Sequence, residues 1–413
     1  MTGKADFKRL DKYISSLTAA PAQRSTEWYS LRQASIGGSE IATILGTNPY
    51  SNLKNMILEK IGVKSFSGSN ATRWGSLFEN VTKRFTEILF TCNIKETGSI
   101  EGVIKQQRYS PDGLAVVRLL NEDNEYEYYI ALFEFKSPYS SAPPGSIPKH
   151  YIAQVQTGLL SIPLADFAIF VNNSYRKCAL KDLSFNSVYD RNYHSAVAKK
   201  KEYRAVSVLA TGLVCFYQTK AQCDAFTKWR ATGNSSSEFD IYDHELLSEA
   251  RMVDFGSAYY ARFNRLLELV EKKAVSCWFS EQTLNNELVN RMPIVLLHGL
   301  THCEQRDPAT EAKKQLSTFT EYADSNKLQT VGYLPWKLLL SDVIITCRQE
   351  GWRELIEPKV NEAVELLNKI NEAEDKYRAY REVFEPEEPA EPELETELEV
   401  CEVDVCDASD YFT

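Results

Sequence analysis

Tyr126-Glu127-Tyr128-Tyr129-Ile130-Ala131-Leu132-Phe133-Glu134-Phe135-Lys136 is the stretch on which the fold turns. Its aromatic and β-branched content predicts a strand, closed by the loop around Pro138. Alternation puts Glu134 and Lys136 on one face, about 7 Å apart along the strand, with Phe135 turned into the opposite layer. Upstream, Ser110-Pro111-Asp112-Gly113 reads as a tight turn opening a strand over 113–120. The separation from Asp112 to Lys136 suits a hairpin, so the two acids can meet at one end of adjacent strands.

The flanks complete a sheet covered by helices. Residues 72–90 carry one broad apolar stripe (Trp74, Leu77, Phe78, Val81, Phe85, Ile88, Leu89), which predicts an amphipathic helix with Glu79 on its less apolar side. A further strand is expected over 94–104, a helix over 149–160 and a short buried strand over 165–171. The order β-β-β-α-β defines an α/β (α+β) fold with a mixed sheet flanked by helices. Beyond it, 206–217 reads as a strand, and 248–273 and 352–383 as long helices. The expected organisation is a helical lead-in over 1–26, a core over 27–220, a mostly helical extension over 221–384 and a tail over 385–413. The tail is rich in Pro and Glu and lacks a core pattern.

The formal net charge of −10 over 413 residues argues, at face value, against a nucleic-acid protein. The deficit is local. Residues 382–413 hold 13 acids and no Lys or Arg, which leaves the rest of the chain at +3. No apolar run reaches the roughly 18–20 residues of a membrane span, and no secretory signal is visible. The nine cysteines include no CxxC pair and read as reduced thiols. These features predict an intracellular protein of cytoplasm or nucleus.

Asp112, Glu134, Lys136 and Glu79 are the residues in which metal chemistry would be sought. A divalent cation such as Mg²⁺ takes oxygen ligands, and two carboxylates with a backbone carbonyl meet that demand. A lysine beside them can position a water and offset phosphate charge. Each piece alone has a plainer reading: E-x-K as a cross-strand ion pair, S-P-D-G as a turn, Glu79 as a solvated helix residue. The signal lies in their conjunction and order. Gly37-Gly38-Ser39 opens a helix whose N–H groups could take a phosphate, or Ser39 could simply cap it. Trp28 and Trp74 read as packing residues. His298 and His302 with Cys303 lack a second pair at zinc spacing. His150 and the basic run Lys199-Lys200-Lys201 with Arg204 could touch DNA, or be ordinary surface.

In this order the residues resemble the PD-(D/E)xK nuclease superfamily. More narrowly they resemble the phage-lambda-type exonucleases, the YqaJ-like viral recombinases and the alkaline nucleases of large DNA viruses, insect viruses among them. Glu27-Trp28 with Arg32, Ile36-Gly37-Gly38-Ser39-Glu40-Ile41-Ala42, Arg73-Trp74-Gly75 with Glu79, Tyr109 to Leu114, and Tyr151 to Gln156 carry the likeness. It implies a restriction-endonuclease-like core. It also implies Mg²⁺ or Mn²⁺, as two ions, held by Asp112, Glu134 and the Phe135 carbonyl, with Glu79 serving the site directly or through water. Lys136 would sit on the attacking water and Gln154 near the scissile phosphate. Arg32, Ser39 and Ser110 would hold a 5′-phosphate. The implied activity is 5′→3′ degradation of linear double-stranded DNA from a 5′-phosphorylated end, in viral recombination or genome processing, with a single-strand annealing protein as a partner. An endonuclease or DNA/RNA shutoff nuclease on the same fold, and a non-catalytic recombination scaffold, are the alternatives.

Overall fold

The computed structural model describes residues 6–385 except 19, 22, 24, 64–67, 122, 187, 190–204, 233–241, 249–250 and 299–303. The acidic tail beyond 385, the basic run at 199–204 and the His302-Cys303 pair lie outside the described residues, as does the side chain of His298.

The two decisive strands form as the alternation predicts: β1 (Gly113–Leu120) and β2 (Tyr126–Lys136). They pair antiparallel from Leu120↔Tyr126 to Gly113↔Phe133. β3 (Phe167–Lys177) joins β2 in parallel, with Glu134 beside Phe170 and Lys136 beside Asn172. Three further strands extend the sheet, β4 (Ala210–Gln218), β5 (Ser276–Phe279) and β6 (Gln329–Cys347), in the order β5-β4-β6-β3-β2-β1; the two-residue strands Val253–Asp254 and Thr283–Leu284 pair with β6 and β4 to make eight. Parallel and antiparallel pairs occur together, so the sheet is mixed, as expected.

The helices that matter for the site are α1 (Thr26–Gln33), α2 (Leu53–Lys60), α3 (Asn70–Phe90), α4 (Lys149–Ser161), α5 (Tyr260–Glu271) and α6 (Trp352–Glu372). Ser25, one residue ahead of the expected cap Thr26, accepts the Trp28 N–H and starts α1. α3 buries its predicted stripe against one face of the sheet, where Phe78 stacks on Tyr175 at 4.5 Å and Phe90 meets Phe133 edge-on. α4 closes the other face with Val155 and Leu159, above Leu114, Ile130, Leu132 and Phe170. Each such buried side chain contributes about 1.5–3 kcal/mol.

Three expectations give way. The strand over 94–104 is interrupted where Gly98 turns to φ +71°. Lys95 makes a single antiparallel bridge to Leu114, and Ile100–Glu101 forms a small sheet with Gln107–Tyr109 and Ile36–Gly37. The long helix over 248–273 begins only at Tyr260, because Asp254 takes the Gly256 N–H and turns the chain. The helix over 352–383 breaks at extended Ala373 and restarts at Lys376, capped by Asp375.

The extension over 221–384 is mostly helical, as expected, but it is not separate from the core. β6 inserts between β4 and β3, pairing with both. Its Trp336 packs edge-on against Tyr175 at 5.4 Å and Phe78 at 6.4 Å. A side chain at Gly212 would come within 2.4 Å of that indole. Trp336→Ala should therefore cost about 3–5 kcal/mol and lower the whole molecule's denaturation midpoint in one transition. Two separated transitions, with the first half unaffected, would show an independent extension.

Candidate active site

The hairpin register builds the site. Gly113↔Phe133 is the last pair of β1 and β2, so Asp112 leaves the ladder opposite Glu134. Its carboxylate accepts the Phe135 N–H at 2.7 Å, a bond that continues the ladder through a side chain. Glu134 is 0% exposed. One of its oxygens accepts the Tyr109 hydroxyl at 3.0 Å and the other accepts the Lys136 ammonium. Tyr109 is itself pinned, because Gly38 and Gly158 lie so close to its ring that a Cβ would sit at 2.3 Å and 2.5 Å. Lys136 also lies 4.9 Å from the centroid of the Tyr151 ring.

Charge follows from this burial. Desolvation, then the Glu134 charge, pushes Asp112 well above the usual carboxylate range, with Glu79 adding to it. Burial would lower Lys136, but Glu134 and Asp112 outweigh it and hold the ammonium above the ordinary lysine range. Desolvation and then the two carboxylates hold Tyr109 protonated. A buried acid pair with one lysine is short of positive charge, which a divalent cation would supply.

A cleft of about 250 Å³ runs beside Asp112 and is lined by Trp28, Arg32, Ser39, Glu79, Ser110 and Gln154, among others. The structure thus brings Glu79, Ser110, Asp112, Gln154, Arg32 and Ser39 to one opening; Glu134 and Lys136 do not line it and lie behind Tyr109, whose hydroxyl bonds Glu134. Among the described residues, no group of three or more His, Cys, Asp or Glu side chains converges in metal-holding geometry. The Asp112 and Glu134 carboxylates and the Phe135 carbonyl are hard oxygen donors, the kind that Mg²⁺ or Mn²⁺ takes. Glu79 lines the same cleft as Asp112 and raises its pKa through charge.

The loop carrying Ser39 differs from its expected form. Gly38–Glu40 is one 3₁₀ turn leading into Ile41–Ile44, and the Gly37 N–H is already taken by the Glu40 carboxylate at 2.7 Å. Free helix N–H groups are therefore not what the loop offers at Gly37. Its shape is fixed by Lys60, whose 4% exposed side chain donates to the Arg32 and Ser35 carbonyls and pairs with Glu40 at 2.8 Å. Arg32 reaches over the Trp28 ring at 5.2 Å and keeps a side chain 49% exposed. Trp28 donates its indole N–H to Ser110 at 3.0 Å, so the tryptophan orients a cleft residue as well as packing. The sequence reading missed the roles of Tyr109 and Lys60. Tyr109 lies within a quoted motif; Lys60 has no local signal, since its partners lie over 20 residues away in the chain.

Residues 27–161 match the YqaJ-like viral recombinase domain family. That matched span holds Trp28, Arg32, Ser39, Glu79, Ser110 and Gln154 of the cleft and the Asp112, Glu134 and Lys136 set. A protein of African swine fever virus (Pretoriuskop isolate) is 28% identical over 235 residues, covering 52% of this chain and 66% of the viral protein. Its counterpart in the Badajoz strain is 27% identical over the same length. The chain thus spans just under two thirds of the length of these relatives. The crystal structure of an alkaline exonuclease (LHK-Exo) from Laribacter hongkongensis matches 36% of this chain and 74% of its own, at 19% identity and a TM-score of 0.28.

The buried acid predicts a pH-dependent stability. A carboxyl raised by folding favours the folded state below the unfolded pKa and loses that contribution as pH rises through the folded one. With metal chelated, Asp112→Asn should melt higher than the parent at pH 8, and the gap should close as pH falls toward about 4. Added Mg²⁺ should raise the parent's melting temperature and leave Asp112→Asn unmoved. A variant that melts lower than the parent at pH 8 without metal would contradict the assignment.

Proposed function

We propose that this protein is a metal-dependent deoxyribonuclease that degrades linear double-stranded DNA 5′→3′ from 5′-phosphorylated ends, in the recombination of viral DNA. The observation that carries the reading is the buried Asp112–Glu134–Lys136 set, whose Asp112 lines the same cleft as Arg32 and Ser39. The YqaJ-like domain supports a nuclease role in recombination. Among the described residues no helix is long and apolar enough to cross a membrane.

Asp112, Glu134 and the Phe135 carbonyl would hold Mg²⁺ or Mn²⁺. Such an ion supplies an acidified water and neutralises charge on the phosphate. The chain's own groups do the rest. Tyr109 fixes one oxygen of Glu134, so the carboxylate presents its other oxygen in one orientation. Lys136, held as an ammonium, donates a hydrogen bond to the attacking water and offsets the phosphate charge. Gln154 donates from α4 to the scissile phosphate, and Glu79 orients a water from α3. Arg32 and Ser39, with Ser110 held by Trp28, receive the terminal phosphate. An end-binding group at a fixed distance from the hydrolytic set converts a general phosphodiesterase into one that starts at ends.

Lys136→Ala should lower cleavage of end-labelled linear duplex by about 10³-fold or more in protein that circular dichroism shows to be folded, and should also lower the unfolding midpoint, because the buried Glu134 loses its cation. Near-normal turnover would remove Lys136 from the reaction. Arg32→Ala should lose about 10-fold or more of the preference for 5′-phosphate over 5′-hydroxyl ends and cut 5′-hydroxyl ends at the parental rate. Closed-circle DNA should resist the parent; rapid cutting of the circle would replace the exonuclease reading with an endonuclease.

A further inference from the structure

Outside the cleft, one group of side chains faces solvent without a stated role. Tyr50 is 82% exposed, among the most exposed large side chains in the described protein. It is nevertheless held in place. Its N–H donates to Asn48 Oδ1 at 2.9 Å, and Asn48 is tied to Ala42 through its backbone N–H and to Thr43 through its side chain. Pro49 further limits the loop. An exposed aromatic ring on a backbone tied down in this way is available to a flat ligand.

That ring heads a row leading to the hydrolytic set. Tyr50 meets His150 edge-on at 5.6 Å. His150 lies 4.1 Å from Tyr151, and Tyr151 carries the Lys136 ammonium over its face. His150 Nε2 is buried and has no hydrogen-bond partner. Burial and the nearby Lys136 charge keep the imidazole neutral, which suits a ring that packs rather than one that pairs with phosphate.

Resting on the nuclease reading, we propose that Tyr50, backed by His150, is a stacking shelf for a nucleobase of the DNA strand whose phosphate lies at Lys136. On that reading the backbone of the strand lies at Lys136, and Tyr50 is joined to Lys136 through the His150 and Tyr151 rings; its exposed ring can take a base, since every base has a π-face to match it. An apolar peptide is the other occupant such a ring would suit; exposed Lys54 and Lys149 at the starts of α2 and α4 favour an anionic ligand over it.

The test uses the full-length chain with Ca²⁺ in place of Mg²⁺ and a 5′-phosphorylated duplex carrying 2-aminopurine at the first, second or third nucleotide. The parent should change the fluorescence at one of these positions. Tyr50→Ala should abolish that change and weaken end binding about 5- to 100-fold, while Tyr50→Trp retains both. Removing the base at that position should weaken the parent equally and leave Tyr50→Ala no weaker than before. Equal binding and equal fluorescence in the parent and Tyr50→Ala would overturn the shelf, including in favour of a peptide site. A parent that neither binds nor, with Mg²⁺, cleaves any duplex end would instead overturn the nuclease reading. Unchanged melting of Tyr50→Ala separates a lost contact from a lost fold.

Discussion

Glu134 is an ionisable side chain with no exposure, and its satisfaction organises the site. A buried carboxylate without partners would cost several kcal/mol, so both oxygens must be engaged. Lys136, two residues on along the same strand face, meets one oxygen. Tyr109 meets the other, and can do so only because Gly38 and Gly158 leave room for its ring. One hydrogen bond thereby ties the end of β2 to the loop that carries Ser39 and to the helix that carries Gln154. The acid–lysine set and the cleft are not two features set side by side; they share Tyr109.

The second constraint is support from distant sequence. Ile36, Ile41 and Ala42 of the cleft loop, Ile57 of α2 and Ala153 of α4 pack in one cluster with Trp352, Ile356, Val360 and Leu367 of α6. Trp352 donates to Thr157 at 3.2 Å, and Gln156 engages the Cys347 carbonyl and the Gln349 N–H. The C-terminal third therefore completes the core beneath the cleft as well as filling the middle of the sheet. This explains why a site contained in residues 27–161 is embedded in a much longer chain.

Much of this was legible in the sequence. Alternation in 126–136 and the Pro-Asp-Gly turn gave both strands, their shared end and the pairing of Asp112 with Glu134. The apolar stripe of α3 gave the helix and its buried face. What escaped was decided by tertiary contacts. β6 is a 19-residue strand, and its hydrophobic run carries no local indication of where in the sheet it inserts. Lys60 looked like any helix lysine, because the two carbonyls that it satisfies belong to another segment. Gly37-Gly38-Ser39 suggested an open helix start, whereas Glu40 turns back onto it. The body's excess of three positive charges is slight, so the proposed DNA contact would rely on the local cleft and a bound cation rather than on a basic face.

The central claim is that a cation completes the Asp112–Glu134–Lys136 set and makes it hydrolytic. Protein stripped with EDTA and titrated with Mg²⁺, on a 5′-phosphorylated linear duplex, measures this directly. The account predicts no cleavage in EDTA, a saturable return of cleavage with Mg²⁺ in the parent, and none at any Mg²⁺ concentration in Glu134→Gln. Cleavage that persists in EDTA, or that Mg²⁺ restores equally in Glu134→Gln, would contradict it.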